Sequence, residues 1–143
     1  MQAPARPRST ESKYRLLYLG TDLELMAAVR QALTEPDYQL VTCSDRESAI
    51  LFISSEIPYH LLLIDLEWRG KEGLKLAQLA RSLKHRKRMP IILVTARKLS
   101  GATKTSARRA GVNKCLVKTP DMDAVSESIR HMLEKNLAAD LRG

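Results

Sequence analysis

Aromatic residues are scarce in this 143-residue chain: one Phe, one Trp and four Tyr, or 4% of the whole. So few rings exclude a stacking platform for single-stranded nucleic acid and leave the core to Leu, Ile, Val and Ala, as in a helix-and-sheet protein. Cysteine is equally sparse. Cys43 and Cys115 each sit inside an apolar run and read as buried thiols, not as a disulfide framework. His60, His85 and His131 are scattered, and no Cys/His spacing matches a zinc site. No apolar stretch is long enough to cross a membrane, and the N-terminus lacks the apolar core of a signal peptide, which predicts a cytoplasmic protein. The length suits one domain that buries its own core.

The largest absence is of one sign of charge. Between Gly73 and Pro120 there is no Asp or Glu, while the chain as a whole carries a net charge of +8. The densest basic run is Arg81–Arg88, RSLKHRKR, followed by Arg97, Lys98, Lys104, Arg108, Arg109 and Lys114. Such a half either is a solvated surface or attracts acidic protein, nucleic acid or anionic lipid. No recognition-helix signature accompanies it, which disfavours direct nucleic-acid binding and leaves an acidic protein partner on the Arg97–Lys114 surface.

What is present alternates. Residues 1–13, rich in Pro, Arg and Ser, read as a flexible tail. Tyr14–Leu19 predicts a strand, and Thr21 or Asp22 can cap a helix to about Leu33 with Leu25, Met26, Val29 and Leu33 on one face. Pro36 stops it. Tyr38–Cys43 is a second strand, and Ser44 or Asp45 caps a helix to about Ser54 carrying Ala49, Ile50 and Ile53. The run Leu61–Ile64 predicts a buried central strand ending on Asp65. A helix over Leu74–Leu83 faces inward through Leu74, Ala77, Leu79 or Ala80, and Leu83. Ile91–Val94 makes a fourth strand ending in Thr95-Ala96, followed by a helix over about Ala102–Ala110 with Gly111 beyond its end. Val112–Val117 is the fifth strand, and Asp121 opens a helix bearing Val125, Ile129, Met132 and Leu133. Five strand–helix alternations predict an α/β fold, a doubly wound five-stranded parallel sheet with helices on both faces. The folded domain is expected over residues 14–137, with a polar tail over 138–143.

The strand ends gather Gly20-Thr21-Asp22, Asp65, Thr95 and Lys118, and here the sequence resembles the receiver domain of two-component response regulators, a (βα)5 flavodoxin-like fold. Asp65 with Gly73 eight residues on matches the phosphoacceptor segment. Thr95-Ala96 matches the switch hydroxyl and the small residue after it, and Ala110-Gly111 followed by Lys118 matches the approach to the family lysine. The resemblance implies a signalling domain, not an enzyme acting on other substrates. In it Asp65 accepts a phosphoryl group from a histidine kinase or a phosphotransfer protein, Lys118 neutralises that group, and Thr95 hydrogen-bonds it and moves inward.

Three departures bear on this. The family's acidic pair at the end of the first strand, which holds magnesium, is replaced by Gly20 and Thr21, leaving Asp65, the Glu67 carbonyl and, in compensation, Asp22 or the Glu67 side chain as magnesium ligands. The aromatic position three residues before the lysine is Cys115. Thr119 separates Lys118 from Pro120, which predicts a strained or rearranged loop. Weak magnesium binding and slow or absent phosphorylation are therefore expected. Two readings follow: a phosphorylation-controlled receiver, or a degenerate receiver kept as a phosphorylation-independent protein-interaction module. A homodimer through the helix after Gly101 or the last helix is compatible with either.

Overall fold

Alternation along the strands decides the layering. In β1 (Tyr14–Leu19), Leu17 and Leu19 face one way and Leu16 and Tyr18 the other, and all four are buried. The same division runs through β3 (Leu61–Asp65) and β4 (Ile91–Thr95), whose residues are buried throughout, as a central parallel strand requires. With β2 (Tyr38–Cys43) and β5 (Lys114–Val117) they form one parallel five-stranded sheet in the order β2-β1-β3-β4-β5. The expected α/β doubly wound architecture is the one observed. The computed structural model describes residues 14–33, 38–69 and 71–142, with side chains omitted at 69 and 136–142. The expected N-terminal tail, the stop at Pro36 and the glycine at 70 lie outside the described residues.

One face of the sheet is covered by α2 (Arg46–Ser54), the short α3 (Leu66–Arg69), α4 (Lys71–Ser82) and α5 (Gly101–Arg109), through Ala49, Ile53, Leu76, Ala77, Ala80 and Ala107. The other is covered by α1 (Leu23–Ala32) and α6 (Asp123–Arg142), through Leu25, Val29, Val125, Ile129 and Leu133. Each fully buried Leu or Ile here contributes about 1.5–3 kcal/mol relative to an exposed one. No helix among the described residues is long and apolar enough to cross a membrane.

Several local expectations shift. α4 begins at Lys71 and buries Leu76 and Ala80, while Leu74 and Leu79 are only partly buried. α5 begins at Gly101 because the Ser100 hydroxyl accepts the Thr103 amide and caps it. β5 starts at Lys114, two residues late: Gly111 takes φ +98°, and the Val112 amide bonds back to the Ala107 carbonyl, which uses Val112 to close the helix. Cys115 is half-buried, not buried, and neither cysteine is bonded to another. α6 continues to Arg142, through the stretch from 138 read as a tail.

Much of the basic run is spent internally. Arg81 donates from Nη1 to the carbonyls of Arg86, Lys87 and Met89, from Nε to that of Gly111, and from Nη2 to Asn113 Oδ1. It ties the loop before β4 to the loop before β5. Arg86, 2% exposed, reaches the carbonyls of Phe52, Ile53 and Ser55 at the end of α2. Lys84, Lys87 and Arg88 remain exposed.

Candidate functional site

Asp65 ends β3 beside β1 and β4, at the point where the strand order reverses, and such switch points are where open α/β sheets bind ligands. The register sets Thr95 at the end of β4 opposite Val117, so Lys118 emerges one residue later on the adjoining strand. A backbone bond from the Lys118 amide to the Thr95 carbonyl, 2.8 Å, fixes the two exits together.

Asp65 is 3% exposed, and its oxygens are engaged on both sides. Oδ1 accepts the Glu67 amide at 3.1 Å. Oδ2 accepts the Lys118 ammonium at 2.8 Å and the Tyr18 hydroxyl at 2.8 Å. The same ammonium lies 2.8 Å from Asp22 Oδ2, so Lys118 bridges two carboxylates. Asp22 is also the helix cap that the sequence allows: its Oδ1 accepts the amides of Glu24 and Leu25 at the start of α1. Burial alone would raise the Asp22 carboxyl, but the bond from Lys118 and those two amides outweigh it and hold the group below its ordinary value. Lys118 moves the other way. Burial disfavours its charge, yet the bonds to Asp22 and Asp65 push its pKa up.

Tyr18 is the residue that sequence reasoning missed. It reads as one more buried strand position, but it shares a face with Gly20, and the missing side chain of that glycine is what admits the phenol. A Cβ on Gly20 would fall 2.5 Å from the Tyr18 hydroxyl oxygen and 2.8 Å from Asp65 Cβ. The hydroxyl donates to Asp65 and accepts the Asp22 amide at 3.1 Å. Burial first, and then the neighbouring carboxylates, push its pKa far up, so it stays a neutral donor. Gly20→Ala is expected to destabilise the protein by about 1–3 kcal/mol through overpacking, read as a lower urea midpoint at unchanged m.

Glu67 turns away from this cluster. Its Oε1 accepts the Ala96 amide at 2.9 Å and its Oε2 the Thr95 hydroxyl at 3.0 Å, while Oε1 stays 3.7 Å from Lys118 Nζ. Burial would raise its carboxyl, but the Ala96 amide and Thr95 hydroxyl lower it below the usual carboxylate range. Trp68 is half-buried, and its indole N–H donates to the Ser44 carbonyl at 3.0 Å, pinning α3 to the end of β2. The loop after Lys118 contains no cis bond. It turns instead through a bond from the Met122 amide to the Thr119 carbonyl, with Met122 in the left-handed region at φ 60° and its side chain buried in the core on the α1 and α6 face of the sheet. That is the rearranged loop.

The expected magnesium ligands do not gather around a point. Asp22 and Asp65 share one ammonium at 2.8 Å, while Glu67 stays 3.7 Å from it with its oxygens bonded to Thr95 and Ala96. Among the described residues no group of three or more His, Cys, Asp or Glu side chains could hold a metal ion. The negative charge left after Lys118 is met by the Tyr18 hydroxyl and backbone amides. A divalent cation therefore does not fit these residues as they are arranged.

A five-stranded parallel sheet in this order, with an aspartate, a hydroxyl and a lysine at adjoining strand ends, defines a receiver-type signalling fold. The response regulator receiver domain family model matches residues 21–130, and the chain belongs to that family. It is 27% identical over 117 residues to the signal transduction histidine-protein kinase BarA of Shigella flexneri and to that of Escherichia coli strain K12. The match covers 78% of this chain and 12% of those kinases. Among solved structures, the signal receiver domain of a putative Luxo repressor protein from Vibrio parahaemolyticus superposes with a TM-score of 0.72 at 20% identity, covering 90% of this chain and 95% of that one. A CheY-like receiver domain from Methanospirillum hungatei JF-1 gives 0.71 at 21%, covering 88% and 98%. The receiver domain of a sensor histidine kinase from Pseudomonas aeruginosa PAO1, solved with a magnesium ion in its active-site cleft, gives 0.67 at 19%, covering 85% and 98%.

Proposed function

We propose that this receiver domain works in two-component signalling as a phosphorylation-independent protein-interaction module, with Asp65 held as a structural carboxylate. The observation that carries the reading is the Lys118 ammonium, 2.8 Å from both Asp22 and Asp65, where magnesium would have to bind. Phosphoryl transfer needs its developing charge neutralised and its groups positioned, and a magnesium-poor site loses much of both. The partner reads the exposed basic residues Arg97, Lys98, Lys104, Arg108, Arg109 and Lys114, which suit an acidic protein surface in the cytoplasm. A histidine kinase or phosphotransfer protein of the same pathway is the expected binding class.

A second reading keeps Asp65 as a phosphoacceptor, with Thr95 and Lys118 as its catalytic neighbours and a weak magnesium site at Asp65, Glu67 and Asp22. Its support is the match to the receiver family together with the placement of Asp65, Thr95 and Lys118 at adjoining strand ends. Incubation with acetyl phosphate and magnesium, followed by intact-mass measurement, separates the two. The first reading expects no phosphoryl adduct under conditions that modify a receiver carrying the acidic pair. A stoichiometric adduct that disappears in Asp65→Asn would sink it.

A further inference from the structure

We propose that Glu67 is a built-in anion at the end of β4, holding the Thr95 hydroxyl that the resemblance would give to a phosphoryl group on Asp65, together with the neighbouring Ala96 amide. The inference deepens the phosphorylation-independent reading and rests on it for the meaning of the held state. Two donors converge on this one carboxylate, with a third nearby. The Thr95 hydroxyl and the Ala96 amide come from the exit of β4, and the Lys118 ammonium comes from the exit of β5. Glu67 itself stands on the exit of β3, two residues past Asp65, so one side chain ties three strand ends together.

Solvation alone does not explain this placement. The Glu67 side chain is 45% exposed and sits on a four-residue helix, free to extend into water. It instead gives up rotamer freedom for two hydrogen bonds, each strengthened by its charge. Thr95 is 2% exposed; its one hydroxyl proton faces both Glu67 Oε2 at 3.0 Å and the Arg97 carbonyl at 3.1 Å, and its oxygen accepts the Arg97 amide at 3.3 Å, so the contact at Thr95 continues into the backbone leading to α5. The basic surface that begins at Arg97 is thereby presented in one conformation without a covalent signal. In a two-state switch, an anion fixed to the protein biases the equilibrium permanently in the way a transient one does reversibly.

Amide hydrogen exchange and the Thr95 methyl resonance, followed by NMR with no phosphodonor and no magnesium, test the lock. Glu67→Ala should speed exchange at Ala96 and Arg97 by about tenfold or more and shift the Thr95 methyl, with β1 and α1 amides unchanged. Glu67→Gln, which keeps the shape and loses the charge, should fall between, and it carries the test if the alanine variant does not fold. Glu47→Ala, an exposed charge in α2, should change nothing at Ala96. Exchange at Ala96 within about twofold of the parent in the folded Glu67 variant would overturn the proposal. Because no phosphodonor is present, an adduct on Asp65 in the mass experiment would sink the function proposed above and leave this result standing, and the reverse holds too.

Discussion

Lys118→Met should lower the free energy of unfolding by about 2–4 kcal/mol at neutral pH, because it strands a buried carboxylate and a half-buried one without their shared cation. The loss is asymmetric. Asp65 keeps the Tyr18 hydroxyl and the Glu67 amide, and Asp22 keeps its two amides on α1, so neither is left bare. The pH dependence follows from the directions of the shifts. Asp22 is held below its ordinary 3.8 in the folded state, so its contribution is present above that value and is lost as pH falls through the lower folded pKa. Lys118 is raised above its ordinary 10.5, so its contribution is complete below that value and fades as pH climbs through the folded pKa. The difference between parent and variant is therefore widest between about pH 4 and pH 10 and closes at both ends. Urea unfolding across that range measures it. A difference that stayed constant down to pH 2–3 would mean that Lys118 contributes packing and not charge.

Arg86→Met should cost a similar amount, about 2–4 kcal/mol, at the opposite end of the sheet. Arg86 has no carboxylate partner among the described ion pairs; its charge is met by three carbonyls at the end of α2 and by the Tyr59 ring, 4.9 Å from the guanidinium carbon. Among the described residues Arg86 is the one group that reaches all three: the Phe52 carbonyl also accepts the Ser55 amide and hydroxyl, and the Ser55 carbonyl lies 2.8 Å from His85 Nε2. Burial pushes the guanidinium pKa down, and an arginine side chain carries its charge at neutral pH. Methionine restores most of the volume and none of the donors. Arg86→Lys should recover little, since a single ammonium cannot span carbonyls of three residues in the way a planar fork does. A shift in the urea midpoint at constant m identifies the loss as one of stability alone. A cost below about 1 kcal/mol would mean that water replaces the guanidinium at the end of α2.

Strand placement was legible because aliphatic runs between turn residues leave little choice: Tyr14–Leu19 and Tyr38–Cys43 match the observed strands end to end. The helix at 71–82 was legible as a helix and only partly in phase: Ala77 is buried as expected, whereas Leu76 is buried and Leu74 and Leu83 only partly so. Its apolar residues are dense enough that Leu79 and Ala80 compete for the inward direction, and the fold buries Ala80 while leaving Leu79 partly exposed. The basic run Arg81–Arg88 looked like a surface because charge patterns carry no information about carbonyls brought near by the fold. Arg81 and Arg86 are structural for that reason. At the site, Asp65, Thr95 and Lys118 were legible from their order and spacing. Tyr18 was not, because its role depends on the space above Gly20, which appears only once β1 and β3 are side by side. The same holds for Glu67: nothing in sequence tells a solvent-facing glutamate from one turned onto Thr95.

The proposed function requires that no divalent cation binds beside Asp65, where the Lys118 ammonium and the Tyr18 hydroxyl both bond Oδ2. Trp68, the only tryptophan, lies three residues beyond Asp65 and is fixed to the Ser44 carbonyl, so its emission reports on that loop. Titrating magnesium into the intact protein at constant ionic strength, into the tens of millimolar, should leave Trp68 emission flat. A saturable change with sub-millimolar affinity, abolished by Asp65→Asn in a protein that remains folded, would contradict it.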